Sequence, residues 1–563
     1  MALNAPFQYP HSAETTIAED EGLPEKIAST SSLPGTKHAR GISFEHIERP
    51  EEVQWVDWDG PDDPSNPKNW SSKRKWATTF VVSAFNFVSP ASSAMIAPAS
   101  EDIAHELGMT NAVLISMITS AFVLGYAVGP LVVGPMSEVY GRSKILKYSN
   151  WLYLIWNVAC GFSTTAVQLL VFRFLAGVGG SAPLSVGGAV VWDLFHEEKR
   201  GRVMALYTFV SMLGPAVGPV CAGWITHRAT WRWVVGELSS SAPLQHYPDL
   251  RQFWSISLFD ITIQLSAAFL LHETYPPVLL KAKAQKLRST LRQRGAGGGY
   301  QYIRSVYDTG CRESISSVLL TALARPAQLI WREPIVQLFS LYTAFIYGIF
   351  YLFLTRIPFI FSGVYGQTAE IAGLQYIALG VGLATASFVN VFFVDRIYLH
   401  LRGGNRGIGE PEYRLPSMVP GTILLPVGLL ISGWSSQQQL HWALTDIGVG
   451  LIGMGMILNF QSMQTYVVDA FSLHVASALA TISCLRSFAG FGFPLFGPAI
   501  FERLGYGNAS TILAALAILI GCPAPWIFWK YGRRIRLNSR YAVRPSASVA
   551  TTMTPNLPPA ESC

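Results

Sequence analysis

Charged residues that border long uncharged stretches, or lie inside them, are the first candidates for chemistry in this chain of 563 residues. No Asp, Glu, Lys or Arg occurs in 107–137, and Glu138 and Arg142 then follow within five residues. Arg173 and Arg486 each lie inside another such stretch. An ionised side chain in apolar surroundings is costly and marks an ion pair, a transport pathway or a proton relay. These positions therefore predict electrostatic gating or proton transfer.

Two carboxylates are candidates for carrying a proton. Asp260 lies within an apolar interval and Asp469 at the end of another, and Arg486 is a possible counter-charge. We expect Arg173 to control the proton affinity of a nearby carboxylate. The alternatives are an arginine that extends to the membrane surface and, for Asp260, a position facing the headgroup region.

The sequence argues against ATP hydrolysis, metal chemistry and covalent catalysis. It contains no GxxxxGK[ST] phosphate loop and no HExxH motif, and its eleven histidines are dispersed. The six cysteines form no CxxC pair and are read as small core residues. We predict no cofactor, no metal site and no enzymatic activity.

The composition predicts an integral membrane protein. Half of the residues are hydrophobic and only 13% are charged, whereas soluble proteins carry about 25% charged residues. Intervals of about 20 apolar residues are long enough to cross a bilayer as helices. Twelve intervals qualify: 77–99, 112–135, 148–167, 168–191, 203–225, 253–271, 335–355, 371–394, 417–434, 443–467, 475–500 and 508–529.

The distribution of Lys and Arg predicts the orientation, because basic loops stay on the cytoplasmic side. Basic residues concentrate in the segments that follow the even-numbered spans and in both tails, so both termini are predicted to be cytoplasmic. The net charge of +6 is then explained by topology and needs no nucleic-acid partner.

A long basic segment divides the spans into two sets of six, as in folds built from two repeated halves. The predicted domains are a disordered cytoplasmic tail (1–70), an N-terminal six-helix half (71–272), a basic cytoplasmic loop (273–334), a C-terminal six-helix half (335–530) and a cytoplasmic tail (531–563).

Several blocks resemble the motifs of one transporter superfamily. GPLVVGPMSEVYGRSK (129–144) looks like the loop motif between spans 2 and 3 of the major facilitator superfamily, VFRFLAGVGG (171–180) like its span-4 motif, and LGPAVGPVCAGW (213–224) like the span-5 motif of proton-coupled antiporters. Blocks such as PEYRLP (411–416) and QSMQTYVVDAF (461–471) resemble the fungal twelve-span drug:proton antiporters. The resemblance covers about 58–540.

This resemblance implies an all-α membrane protein of the major facilitator fold that exports a drug, toxin or secondary metabolite by alternating access, driven by protons. It implies that Glu138 and Arg142, with Gly134 and Gly141, form a cytoplasmic gate. The family more often has aspartate where Glu138 stands. The span-5 motif residues implied to act in conformational change are Gly214, Pro215, Gly218, Pro219 and Gly223.

A cargo pocket is expected near the midplane between the two halves. Its candidates are polar or amphipathic residues on spans that line the interface: Asn86, Tyr342, Tyr347, Tyr351, Gln375, Asn459, Gln461 and Gln464. Aromatic walls with a few polar anchors suit a bulky, weakly polar cargo. The partners expected are this cargo, protons and the bilayer, with a functional monomer.

Three alternatives stay open. A polyamine exporter of the same family would need several acids in its pocket, and a sensor on the same fold would not transport. The plasma membrane is expected, with the vacuolar membrane as the alternative. Residues 235–252 match nothing in the family pattern, and a retained intron is the hypothesis for them, against a genuine outer-loop insertion.

Overall fold

The computed structural model describes residues 54–97, 100–228, 251–293, 303–307, 320, 324, 327–405, 409–471 and 475–537. These residues belong to one compact unit, Val53–Cys563. Most of segment 235–252 lies outside them, and only its last two residues are described, at the start of a helix.

The first half of the described chain is helical. Its elements are α1 (Ser72–Met95), α2 (Ser100–Glu106), α3 (Ala112–Tyr140), α4 (Arg142–Cys160), α5 (Ala166–Gly180), α6 (Ala182–Leu194), α7 (Glu197–Arg228), α8 (Arg251–Leu270) and α9 (Pro276–Gln293).

The second half repeats this arrangement. Its elements are α10 (Pro334–Phe359) with a π-helical turn (Ile360–Val364), α11 (Ala369–Leu374), α12 (Tyr376–Gly404), a 3-10 helix (Pro411–Met418), α13 (Val419–Gln437), α14 (Trp442–Ala470), α15 (Val475–Gly521) and α16 (Pro523–Leu537). Gly505 has φ 77° and breaks α15 into two helices.

Local chemistry fixes several helix ends. The Asn111 side chain accepts a hydrogen bond from the Val113 N–H at the start of α3, and Thr165 does the same for Gln168 at the start of α5. Gly141 separates α3 from α4 with φ 105°, a conformation that favours glycine. These caps allow each helix to begin where the apolar sequence begins.

Two helix pairs form the most extensive contacts between the two halves. Helix α3 of the first half packs against α15 of the second, and α7 of the first packs against α12 of the second. Within the first half, α1 lies against α7 and α4 against α8. The seam between the halves is therefore lined by α3, α7, α12 and α15.

Among the residues that the structure describes, eight helical runs are long and apolar enough to cross a membrane. Seven of them each coincide with one predicted span, and the eighth, Val475–Leu537, contains the last two. The predicted spans 77–99, 148–167 and 253–271 fall on α1, α4 and α8, which are helical but outside this set. The chain is thus a multi-pass, predominantly helical protein.

Both predicted tails include ordered residues, and for the N-terminal tail this corrects the prediction of disorder. The disordered tail cannot reach residue 70, because β1 (Gln54–Val56) pairs in parallel with β2 (Ile303–Ser305) and a 3-10 turn forms at Pro67–Asn69. At the other end, α16 continues to Leu537, so the segment predicted as a cytoplasmic tail begins with a helical turn; its location stays a prediction. Arg536 is 2% exposed because its guanidinium donates to Glu412, with Nε 2.9 Å from Oε1. Both segments are held by specific contacts that their polar composition concealed.

Candidate functional site

The first cluster of buried charges lies where α3 ends and α4 begins. The Arg142 Nε atom is 3.5 Å from Asp193 Oδ2, and both side chains are 1% exposed. Arg142 Nη1 also donates to Ser137 Oγ at 2.9 Å. Glu138 accepts two bonds from Ser477, one from its backbone N–H and one from its hydroxyl, each 3.0 Å long. Because Ser477 lies near the start of α15, Glu138 joins the two halves.

Two glycines make this cluster possible. A Cβ on Gly134 would lie 2.9 Å from the Ala480 Cβ atom, so α3 and α15 approach closely at this point. A Cβ on Gly141 would lie 2.3 Å from Glu273 Oε2. Glu273 accepts a 2.8 Å bond from the Arg142 N–H, which caps the start of α4.

A second cluster repeats the first in the other half. Arg414 is fully buried, with Nη1 2.8 Å from Asp395 Oδ1 and Nε 3.0 Å from Asp469 Oδ2. Asp395 also accepts a 2.9 Å bond from the backbone N–H of Arg202, near the start of α7. Glu138 at the end of α3 and Asp395 on α12 thus each accept from a helix that begins in the opposite half.

Two more bonds cross between the halves at the second cluster. Arg200 Nη1 lies 2.5 Å from Asp469 Oδ1, and Arg414 Nη2 donates to the Glu197 carbonyl at 2.9 Å. A Cβ on Gly201 would lie 2.2 Å from Asp395 Oδ1, so the close approach resembles that at Gly134. The two halves are therefore joined at both charge clusters.

Sequence reasoning found half of this network. It named Glu138, Arg142 and Asp469, but it placed Asp469 with the proton carriers, whereas the structure places it between two arginines. It missed the roles of Asp395 and Arg414. The available signal was the repeat of the first pattern: an uncharged stretch through 371–394 ends at Asp395, as the stretch through 107–137 ends at Glu138.

Arg173 and Asp260 lie apart from the two clusters of buried charges. Arg173 is fully buried, and its guanidinium donates to the carbonyls of Ser92, Ser93 and Ile118 at 3.0–3.2 Å. Asp260 is fully buried between α8 and α4, where both carboxylate oxygens accept from the Asn150 amide at 3.0–3.1 Å.

The span-5 motif forms the contact between α7 and α1. A Cβ on Gly214 would lie 2.7 Å from the Phe87 carbonyl, and one on Gly218 would lie 2.5 Å from the Ala91 carbonyl. Pro215 and Pro219 lie within the same helix, and Gly223 lies outside the residues whose packing is described. Small residues here let two helix backbones touch.

The structure brings four of the eight pocket candidates to the seam between the halves: Tyr347, Tyr351, Gln461 and Gln464. Tyr347 and Tyr351 lie on α10 beside Arg486, and Gln464 accepts a 2.9 Å bond from Thr208 across the halves. Asn86 is buried, and its Oδ1 atom has no hydrogen-bond partner among the described residues.

Tyr342, Asn459 and Gln375 make contacts within the second half, whereas Gln461 bonds across the seam. The Tyr342 hydroxyl donates to Asn459 Oδ1 at 3.0 Å, within the second half. Gln375 donates to Gln367 at 2.9 Å, near the beginning of α12. Gln461 donates to the Ala205 carbonyl at 2.8 Å and to Ser387 at 2.9 Å, so it joins α14 to α7 and α12.

Arg486 is a charged residue at the central seam. No carboxylate among the described residues pairs with it. It is 2% exposed, and its Nε atom has no hydrogen-bond partner in the described chain. Its guanidinium carbon lies 5.0 Å from the Tyr347 ring centre and 4.6 Å from that of Phe460. A ligand that accepts a hydrogen bond from this guanidinium would offset the free-energy cost of burying it.

Comparison with known proteins identifies relatives over most of the chain. Residues 82–494 match the family described as Major Facilitator Superfamily. The chain is 40% identical over 501 residues to "Efflux pump vrtL" of Penicillium aethiopicum, covering 89% of this chain and 93% of that protein. It is 37% identical over 519 residues to "MFS-type transporter penM" of Penicillium rubens, covering 92% and 96% respectively.

A solved structure shares the fold. The proton:xylose symporter XylE bound to 6-bromo-6-deoxy-D-glucose superposes with a TM-score of 0.57 at 15% identity, covering 82% of this chain and 96% of that one. At this identity the similarity concerns the fold alone.

Proposed function

Because the chain belongs to the Major Facilitator Superfamily, we propose that it is an efflux transporter that exports a small organic toxin, drug or secondary metabolite. Relatives at 36–40% identity over about nine-tenths of the chain carry the names "Efflux pump vrtL" and "Efflux pump radE", the latter from Floropilus chiversii. The family consists of transporters, so the activity is transport rather than catalysis.

The observation that carries the mechanism is the repeated charge cluster at the seam. Each half contributes an acid, Glu138 or Asp395, that accepts from a helix of the other half. Such contacts exist only while this face is closed, so they stabilise one of two alternating states. Separation of the clusters would open the central seam to cargo from the same face.

Several finer features belong to this proposal. The protein has twelve spans with both termini in the cytoplasm, and the gate face is cytoplasmic because the basic segments lie there. It acts as a monomer in the plasma membrane. Protons moving inward drive export.

Asp260 is the proposed proton carrier. Within the described residues its hydrogen-bond partner is the neutral amide of Asn150, so no cation fixes it in the charged form. The buried Tyr153 hydroxyl interacts electrostatically with both Asp260 and Arg173. Arg173 would act through this link.

Asp260→Asn is expected to abolish transport driven by a pH gradient while cargo exchange across the membrane without a gradient persists. The amide keeps the shape and one oxygen that accepts from Asn150, but it loses the second accepted bond and carries no titratable proton. Both rates are measured in proteoliposomes, with Asn150→Asp as a variant that retains an acid in the same interface. Gradient-driven transport at the wild-type rate in Asp260→Asn would exclude Asp260 as the carrier.

The efflux function is tested in inside-out vesicles that expose the cytoplasmic face. A panel of labelled fungal metabolites, xenobiotics and polyamines is added outside, with an imposed pH gradient and with or without an uncoupler. Uptake that exceeds that of vesicles lacking the protein, and that the uncoupler abolishes, supports proton-driven export. No uptake of any compound by correctly inserted protein would leave a sensor as the better account.

Polyamine export is the weaker alternative. A polycation needs acids in its pocket, whereas the described residues around the central seam place Arg486 there.

A further inference from the structure

The central seam holds an arginine that no described carboxylate neutralises. Arg486 lies nine residues beyond Ser477 on α15, or about 14 Å along the helix from the gate cluster. Its nearest titratable neighbours in the described chain are four tyrosine hydroxyls: Tyr126, Tyr207, Tyr347 and Tyr351. All four tyrosines are buried. Two of them come from each half, so the arginine lies at the surface that alternating access separates.

Other buried arginines here have acceptors that the described residues do not give Arg486. Within the described chain, Arg142 and Arg200 also have an Nε atom without a hydrogen-bond partner, but each has a carboxylate oxygen within 3.5 Å. Arg173 is equally buried, but three backbone carbonyls accept from its guanidinium. Arg486 Nε has no such acceptor in the described residues. A buried cation whose hydrogen-bonding groups lack acceptors is destabilising. Inside a membrane protein such a residue marks a site where a ligand supplies the missing acceptor.

The surroundings of Arg486 define the shape of that ligand. The arginine borders a small cavity of about 10 Å³, room for about one water molecule, with Thr343, Gln464 and Ser483 as its polar lining and Phe460 among its apolar lining. In this closed state the space is too small for a metabolite. Every described lining residue of this cavity belongs to α10, α14 or α15 of the second half. Separation of α3 and α7 from these helices would open the first-half side of Arg486, beside Tyr347 and Phe460.

A larger cavity, beside the second charge cluster, is rich in basic residues. This cavity of about 1010 Å³ lies between α1, α7 and α12, and its described lining includes seven Lys or Arg residues and three acids. Burial and, to a smaller extent, the charge of Arg200 lower the pKa of Lys68 in this cavity. Burial and, to a smaller extent, the charge of Lys68 lower the pKa of His196. A cavity with this potential concentrates anions.

We infer that the cargo is an aromatic anion whose carboxylate binds Arg486 and whose rings stack among Tyr347, Tyr351 and Phe460. A guanidinium presents two parallel N–H donors that fit the two oxygens of a carboxylate. Aromatic side chains supply area for a planar ring system. This inference rests on the proposed efflux function and specifies its substrate class.

The test compares matched pairs of probes in inside-out vesicles. Each pair consists of an aromatic carboxylic acid and its carboxamide: 1-naphthoic, anthracene-9-carboxylic and pyrene-1-carboxylic acid with their amides. Wild-type protein is expected to transport the acids at least about tenfold faster than the amides, the ratio that one charge-assisted bond contributes. Arg486→Gln is expected to remove this preference, and Arg486→Lys to restore part of it.

Arg503→Gln on the same helix is the control, because Arg503 is exposed and distant from the seam. A second readout is binding: the acids are expected to raise the Tm of purified wild-type protein and not that of Arg486→Gln. Equal transport of acids and amides by wild-type protein, or an equal loss of both in Arg486→Gln, would overturn the inference and leave efflux standing. No transport and no Tm shift with any probe, including the broader panel, would overturn both.

Discussion

Replacing Arg414 with glutamine is expected to destabilise the protein by about 3–5 kcal/mol and to reduce gradient-driven export by about 100-fold. The change removes one fully buried cation from between Asp395 and Asp469. Breaking a buried pair costs this much because it leaves the remaining charge uncompensated. It also removes the bond to the Glu197 carbonyl in the other half, so the closed state loses more than the open one. A loss of about 3 kcal/mol from one of two states changes their ratio about 100-fold.

Thermal unfolding in detergent and uptake in inside-out vesicles measure the two effects. Arg533→Gln is the matched control, since the Arg533 side chain is 59% exposed and pairs with Glu410 at 3.2 Å. Exposed pairs contribute about 0–1 kcal/mol, so this variant should behave like the wild type. Equal behaviour of Arg414→Gln and Arg533→Gln would show that the second cluster does not hold the gate.

The second large effect is expected from one added methyl group in the span-5 motif. Gly218→Ala places a Cβ 2.5 Å from the Ala91 carbonyl oxygen, and a backbone atom of α1 cannot move away as a side chain could. Forcing α7 from α1 costs about 1–3 kcal/mol. Replacing glycine with alanine inside a helix otherwise stabilises the helix by about 1 kcal/mol. A lower stability of Gly218→Ala would therefore show that close packing of α7 on α1 outweighs this gain.

Gly492→Ala is the control for this prediction, because a Cβ on Gly492 of α15 meets nothing within 4 Å. The expected results are a lower Tm and slower transport for Gly218→Ala, and an unchanged or higher Tm for Gly492→Ala. If Gly218→Ala proved as stable and active as Gly492→Ala, close packing of α7 on α1 would not be required for the transport cycle.

Sequence reasoning predicted the helical membrane fold because its signals are local. Uncharged runs of about 20 residues identify most spans directly. It placed the end of the N-terminal tail less well. The strands β1 and β2 are about 250 residues apart, and they pair through backbone groups, which leave no side-chain pattern in the sequence. Arg536 likewise reads as an exposed basic residue until Glu412 is known to lie beside it.

The site was predictable to the extent that charge in an apolar stretch is visible in a single sequence. Glu138, Arg142, Arg173 and Arg486 stand out for that reason. Their partners do not, because Ser477 is 339 positions from Glu138 and is one serine among many. The pocket candidates divide for the same reason. Tyr347 and Gln375 are both polar or amphipathic residues in predicted spans, and only the packing of the helices places one at the seam and the other at a helix end.

The most direct test of alternating access through this gate is a distance measured between spin labels at Lys144→Cys on α4 and His400→Cys on α12. Both positions are exposed and lie outside the two clusters, and the six native cysteines are first replaced. In lipid nanodiscs the otherwise unaltered gate is expected to give mainly the short distance of the closed face. The double variant Glu138→Gln/Asp395→Asn is expected to shift the distribution to longer distances. An identical distribution in both proteins would contradict the proposal that these acids hold the gate closed.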